Sequence, residues 1–217
     1  MPLITSPDHG PIVFIHIPKT GGTSVEHYFI RKGVPPSCLI TLDTWEPTHP
    51  AWKRGISLQH QLYRDIEIFA ADTGTSLETC RKFTIVRNPY TRIVSDLFFF
   101  NLISPKSTPN EVTDAIKMYL KAYEKDNTAY DNHPRRQTDF IINNSRKLDL
   151  SIHIMRCERL IEDMRAFGFT DFDVHEQRNR YNMNETAYLN YLNKESLLII
   201  SRFYAADFAI FKYPLLI

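Results

Sequence analysis

The chain has 217 residues, 43% of them hydrophobic and 24% charged, with a formal net charge of +1. That length suits one α/β domain with a sizeable core, and the near-neutral balance excludes bulk electrostatic binding to nucleic acid, so any affinity for anions must be local. No apolar run reaches membrane-spanning length, and Cys38, Cys80 and Cys157 are scattered, odd in number and without zinc spacing, which fits a reduced, cytoplasmic-type compartment. The first predicted element is the β-branched, apolar run Ile12-Val13-Phe14-Ile15-His16-Ile17, a buried strand. It runs directly into Pro18-Lys19-Thr20-Gly21-Gly22-Thr23-Ser24-Val25. The two glycines allow a tight turn, and Thr23 and Ser24 can cap a helix from about Val25 to Lys32. A strand, a lysine-bearing glycine turn and a helix N-terminus together make an anion cradle suited to phosphate. The same residues also fit a plain Gly-Gly turn closing a βα unit.

Gly33-Val34-Pro35-Pro36 breaks the helix, and Cys38 to Leu42 reads as a short strand. Ile56-Ser57-Leu58 is predicted as a strand leading to Gln59-His60-Gln61, with a helix over 62–71. Phe83-Thr84-Ile85-Val86 is the next buried strand, ended by Arg87-Asn88-Pro89-Tyr90, with Pro89 in the first turn of a helix that runs to Phe100. Helical periodicity covers 111–124, and the polar, turn-rich stretch 126–136 is the longest candidate for a substrate loop or lid. Residues 151–155 read as a further buried strand, 160–167 as its helix, and 195–204 as a helical tail. Strands alternating with helices predict an α/β fold, a single domain with a central parallel sheet flanked by helices.

The usual nucleotide loop, Gly-x-x-x-x-Gly-Lys-Ser/Thr, puts its lysine after the glycines. Here Lys19 precedes them, on the strand side. The run from Ile15 to Ser24 resembles the 5′-phosphosulfate loop of sulfotransferases that use 3′-phosphoadenosine 5′-phosphosulfate (PAPS). In particular it looks like the loop of the carbohydrate O-sulfotransferases related to heparan sulfate 2-O-sulfotransferase. Arg87-Asn88-Pro89-Tyr90-Thr91-Arg92 followed by Ser95 resembles the 3′-phosphate motif of the same superfamily. Weaker likenesses lie in the 131–141 segment with His133, Gln137 and Asp139, in Glu158-Arg159-Leu160, and in Tyr204-Ala205-Ala206-Asp207-Phe208.

The resemblance implies a single sulfotransferase domain on a P-loop-like sheet, with its 5′-phosphosulfate loop at 16–25 and its 3′-phosphate motif at 83–95. Lys19, Thr20, Gly21, Gly22, Thr23 and Ser24 would hold the 5′ side, and Arg87 and Ser95 the 3′-phosphate. PAPS is then the cosubstrate, adenosine 3′,5′-bisphosphate the product, and no metal is required. The favoured acceptor is a carbohydrate hydroxyl. The Golgi members carry a membrane anchor and stem that are not seen here, which suggests a bacterial-type or excised catalytic domain.

Sulfuryl transfer needs a stabilised leaving group and a base for the acceptor hydroxyl. Lys19 is expected to meet charge on the bridging oxygen. His60, at a predicted strand end, is the expected base, and by resemblance its segment occupies the place of the family's catalytic histidine. His133 competes for the role or, beside Arg135 and Arg136, holds the acceptor. His16 and His153, inside predicted strands, read as core histidines, and Phe98-Phe99-Phe100 as core packing. Glu26 and Glu158 could serve as acid or base, although carboxylates at a helix start are usually dipole partners. Arg178-Asn179-Arg180-Tyr181 fits either a loop closing on the 3′-phosphate or a solvated one. Two other functions use the same features. A P-loop kinase would need magnesium ligands and a lysine after the glycines, and a non-catalytic PAPS-binding module would have no need of Lys19 and His60 together.

Overall fold

The computed structural model describes residues 3–6, 10–34, 50, 55–173 and 184–217. The expected strand at 38–42 and the basic stretch at 178–181 lie outside them. In chain order the elements are β1 (Leu3–Ser6), β2 (Gly10–Ile15), α1 (Gly22–Arg31), a 3₁₀ turn (Leu58–His60), α2 (Tyr63–Asp72), β3 (Arg81–Val86), α3 (Pro89–Phe99) and α4 (Pro109–Lys125). A second 3₁₀ turn (Gln137–Ile141) leads to β4 (His153–Arg156), α5 (Leu160–Ala166), α6 (Glu185–Leu189), α7 (Lys194–Phe203) and α8 (Ala205–Phe211). None of the described helices is long and apolar enough to cross a membrane. They gather into two compact units, residues 1–86 with 137–176 and residues 87–136 with 177–217.

The first unit holds the sheet, in the order β1-β2-β3-β4. β2, β3 and β4 run parallel, as the alternation of strands and helices predicts, while β1 pairs antiparallel with β2 at the edge. Only three residues join β1 to β2, too few for the crossover that a parallel neighbour needs. Ile12, Val13 and Ile15 are fully buried in β2, and Phe14 stacks on its cross-strand partner Phe83 at 4.9 Å. On α1, Val25, Tyr28 and Phe29 form the i, i+3, i+4 apolar stripe of an amphipathic helix. That stripe packs on Phe169 and Phe172, with Phe29 meeting Phe169 edge-on at 5.4 Å and Tyr28 meeting Phe172 at 5.2 Å. Each such fully buried side chain contributes about 1.5–3 kcal/mol.

Two local expectations fail here. Residues 56–58 form no strand, because the Gln61 amide donates to the Ile56 carbonyl (3.0 Å), taking an acceptor that a ladder would use, and the chain winds into the 3₁₀ turn. His153 is exposed, not a core residue, since among the described residues β4 pairs only with β3 and forms an edge. Its ring lies against Phe167, 4.7 Å away.

The second unit is helical. Asn88 caps α3 by accepting from the Tyr90 amide (3.0 Å), with Pro89 at the first helical position. α4 begins two residues before its periodicity, at Pro109, because Thr108 and Glu111 form a capping box. The tail continues past α7 into α8. Residues 126–136, the candidate substrate loop or lid, are exposed at Asp126, Asn127 and Arg136 and buried toward the middle. Asn132, His133 and Arg135 are buried, and Tyr130, Asp131 and Asn132 are all left-handed (φ 56°, 53° and 63°). Three consecutive non-glycine residues in that region are strained and persist only where the surroundings hold them.

Candidate active site

In the first unit, β2 ends at Ile15 and the chain turns through residues 16–21 into α1. Lys19 (φ 62°) and Gly21 (φ 99°) are left-handed. For a lysine this conformation is costly and marks a constrained position. The buried Thr20 hydroxyl donates to the Ile17 carbonyl (2.8 Å), and the Ser24 amide to the Gly21 carbonyl (3.0 Å). α1 starts at Gly22, three residues earlier than predicted, so Thr23 and Ser24 lie inside its first turn and are not its caps. The N-cap is Gly21, which brings no side chain to the first N–H groups, so the positive end of the helix is presented to an anion.

Gly22 is required for a second reason. A Cβ there would lie 2.0 Å from Nε2 of His16. That imidazole is only 9% exposed and stacks on Phe14 at 5.4 Å, so it cannot simply swing aside. Gly22→Ala is therefore expected to destabilise the protein by about 1–3 kcal/mol through overpacking, read as a lower denaturant midpoint at unchanged m-value. An unshifted midpoint would mean that His16 does not hold this place.

His16 is buried as expected, but it is more than core packing. Its Nδ1 lies 3.1 Å from Glu26 Oε1, an electrostatic contact without good hydrogen-bond geometry. Its ring meets His60 edge-on, with centroids 5.2 Å apart. His60 is buried at the end of the 3₁₀ turn, with Nδ1 3.2 Å from the Ser57 hydroxyl. This unit thus brings together the phosphate loop, His16, Glu26, Ser57 and His60. Glu26 is the member that a helix-dipole reading misses, because its partner precedes it across the loop.

In the second unit α3 presents two stripes. Arg87 precedes the helix, and Thr91 and Ser95 follow at intervals of four on one side. The Arg87 guanidinium donates from Nε (3.2 Å) and Nη2 (2.5 Å) to the Glu185 carboxylate, to which Thr91 also donates (2.5 Å), and it lies over the Tyr188 ring at 4.8 Å. A planar fork already holding an oxyanion is the geometry expected of a phosphate clamp. Nothing in the sequence near Arg87 signals Glu185, which comes from the far end of the chain.

The other stripe is Arg92, Asp96, Phe99 and Phe100. His133 Nδ1 lies 2.8 Å from Oδ1 of the fully buried Asp96. Phe99 stacks on the His133 ring at 5.2 Å and Phe100 meets it edge-on at 4.9 Å, so of the expected core phenylalanines only Phe98 is buried, and Phe99 is half exposed. Arg92, 1% exposed, donates to the backbone carbonyls of His133 (2.5 Å) and Arg135 (3.0 Å). Burial, reinforced by the Asp96 charge, pushes the Tyr119 hydroxyl well above its usual range, and burial raises Tyr204 too. Neither phenol can give up a proton near neutrality.

A profile of the sulfotransferase family matches residues 1–214 of the chain. No curated protein and no solved structure matches it.

Proposed function

We propose that this chain, which belongs to the sulfotransferase family, sulfates a hydroxyl of a carbohydrate, with Lys19 stabilising the leaving group and a histidine taking the acceptor's proton. Membership carries the general activity: the protein is an enzyme, and PAPS is its cosubstrate. The observation that most supports the site assignment is the loop between β2 and α1, where a strained Lys19 precedes a glycine-capped helix N-terminus and Gly22 is kept bare by His16. Such a cradle accepts an oxyanion through backbone N–H groups and rejects a Cβ. Thr20, Gly21, Gly22, Thr23 and Ser24 are assigned to the 5′-phosphosulfate, and Arg87 and Ser95 to the 3′-phosphate, for which the Arg87 fork would exchange the Glu185 carboxylate.

Sulfuryl transfer concentrates less charge than phosphoryl transfer, so positioning and a cation can suffice. Lys19 supplies that cation. For the base, sequence position puts His60 first, but the partners of the two imidazoles favour His133. An imidazole taking a proton becomes a cation, and the buried carboxylate of Asp96, 2.8 Å from His133 Nδ1, stabilises such a cation. We assign the proton to His133 and acceptor binding to His60. The carbohydrate acceptor rests on the resemblance of the two phosphate motifs to carbohydrate O-sulfotransferases. A mass-spectrometric screen of desulfated glycans with labelled PAPS tests it, and sulfation of phenols alone would overturn it.

Calorimetry in EDTA tests the nucleotide assignment. Adenosine 3′,5′-bisphosphate is expected to bind without metal and more tightly than adenosine 5′-phosphate. Arg87→Ala should cost about 2–4 kcal/mol of that binding, the loss of a charge-assisted bidentate contact. Equal affinity for the two nucleotides would remove the 3′-phosphate role from Arg87 and Ser95. Preference for ATP with magnesium would indicate a kinase.

A further inference from the structure

We propose that Asp96 is the positioning residue of His133, holding its imidazole as the Nδ1–H tautomer so that any proton His133 accepts is accepted at Nε2. The inference rests on the reading of His133 as the base. Asp96 is fully buried, and a buried carboxylate needs a donor. Among the described residues its Oδ2 has no well-formed hydrogen bond, and its Oδ1 lies 2.8 Å from His133 Nδ1. Two acceptors cannot face each other at that distance, so the proton between them sits on Nδ1 while Asp96 is ionised.

The surroundings hold that contact in place, and the Tyr119 hydroxyl also lies within the field of the Asp96 carboxylate. Phe99 and Phe100 fix the plane of the ring. The turn carrying it runs through three left-handed residues and is held by Arg92 at two carbonyls. Tyr204 adds a hydrogen bond to the Pro134 carbonyl (2.8 Å), and Arg135 Nε donates to Asn132 Oδ1 (2.8 Å). Strain retained at this cost in a turn that orients one imidazole is what a reacting group requires, whereas a histidine serving only as packing would need none of it.

The acceptor O–H gives its proton to Nε2 as the acceptor oxygen bonds to sulfur and the sulfur–oxygen bond to the 5′-phosphate breaks. The electron pair leaves with the bisphosphate, and Asp96 stabilises the resulting imidazolium without taking the proton itself. The imidazolium later releases that proton to solvent.

The test joins NMR of ¹⁵N-histidine-labelled protein with kinetics. In the wild-type protein at neutral pH, His133, identified by the signal lost in His133→Gln, is expected as the Nδ1–H tautomer. Asp96→Asn should redistribute the tautomer and lower kcat by roughly ten- to a thousandfold, with bisphosphate affinity changed less than about twofold. The double variant Asp96→Asn/His133→Ala should be no slower than His133→Ala alone, because the two act as one unit. A purely structural Asp96 would instead give multiplicative losses of rate and an unmoved tautomer. An Nε2–H tautomer in the wild-type protein would overturn the proposal outright, and that measurement decides even if Asp96→Asn does not fold. An Nδ1–H tautomer with full kcat retained in His133→Ala would overturn it through its premise, leaving His133 well positioned but not the base.

Discussion

Lys19→Ala is expected to lower turnover by roughly a hundredfold or more, as the loss of a charge contact made in the transition state does. On the proposed assignment the 5′ side would be held in the ground state largely by backbone N–H groups at the start of α1, which the substitution leaves in place. The ammonium matters most when charge builds on the bridging oxygen, so kcat should fall more than bisphosphate affinity. Its left-handed backbone (φ 62°) adds a control. Lys19→Gly removes the charge and relieves that strain, so it should be as slow as Lys19→Ala and at least as stable. Steady-state kinetics and calorimetry on the two variants separate the contributions. Unchanged turnover with weakened binding would reduce Lys19 to a phosphate anchor.

His133→Ala should cost roughly 10²–10⁴-fold in kcat, the usual contribution of a general base, with bisphosphate binding intact. His60→Ala should act chiefly on the KM for the acceptor, the role assigned to it above. In the wild-type enzyme the rate should fall as pH drops and the base becomes protonated. That acidic limb should vanish in His133→Ala. The opposite pattern, a silent His133→Ala and an inactive His60→Ala, would return the proton to His60, where position at the end of the 3₁₀ turn would then outweigh its partner.

The local sequence made the phosphate loop and the start of α3 readable because their chemistry is carried by adjacent residues. Glycines for a turn, a lysine before them, and an arginine ahead of Asn-Pro are contiguous signals. Even there, the helix start shifted to Gly22, because a glycine in the left-handed region can serve as an N-cap where hydroxyl residues were expected to do so. The strand assigned to residues 56–58 went wrong for a related reason: side-chain-to-backbone bonds from Gln61 compete with a ladder, and periodicity over three residues cannot register them.

By itself, the sequence determined the α/β class, the β2–loop–α1 cradle, the Arg87 motif and the membership they point to, since each depends on order and spacing along a few residues. The tertiary structure alone decided what His16, His60 and His133 pack against. His16 and His153 sit in similar apolar runs, yet His16 lies just past β2 and is buried against Gly22, whereas His153 opens β4, an edge strand among the described residues, and is exposed. Asp96 and His133 are 37 positions apart, and Tyr130-Asp131-Asn132 contains no glycine to announce its left-handed turn. Pattern in a sequence reports how each segment meets solvent. The low-dielectric pairing of two distant polar groups is fixed only when packing excludes water from both.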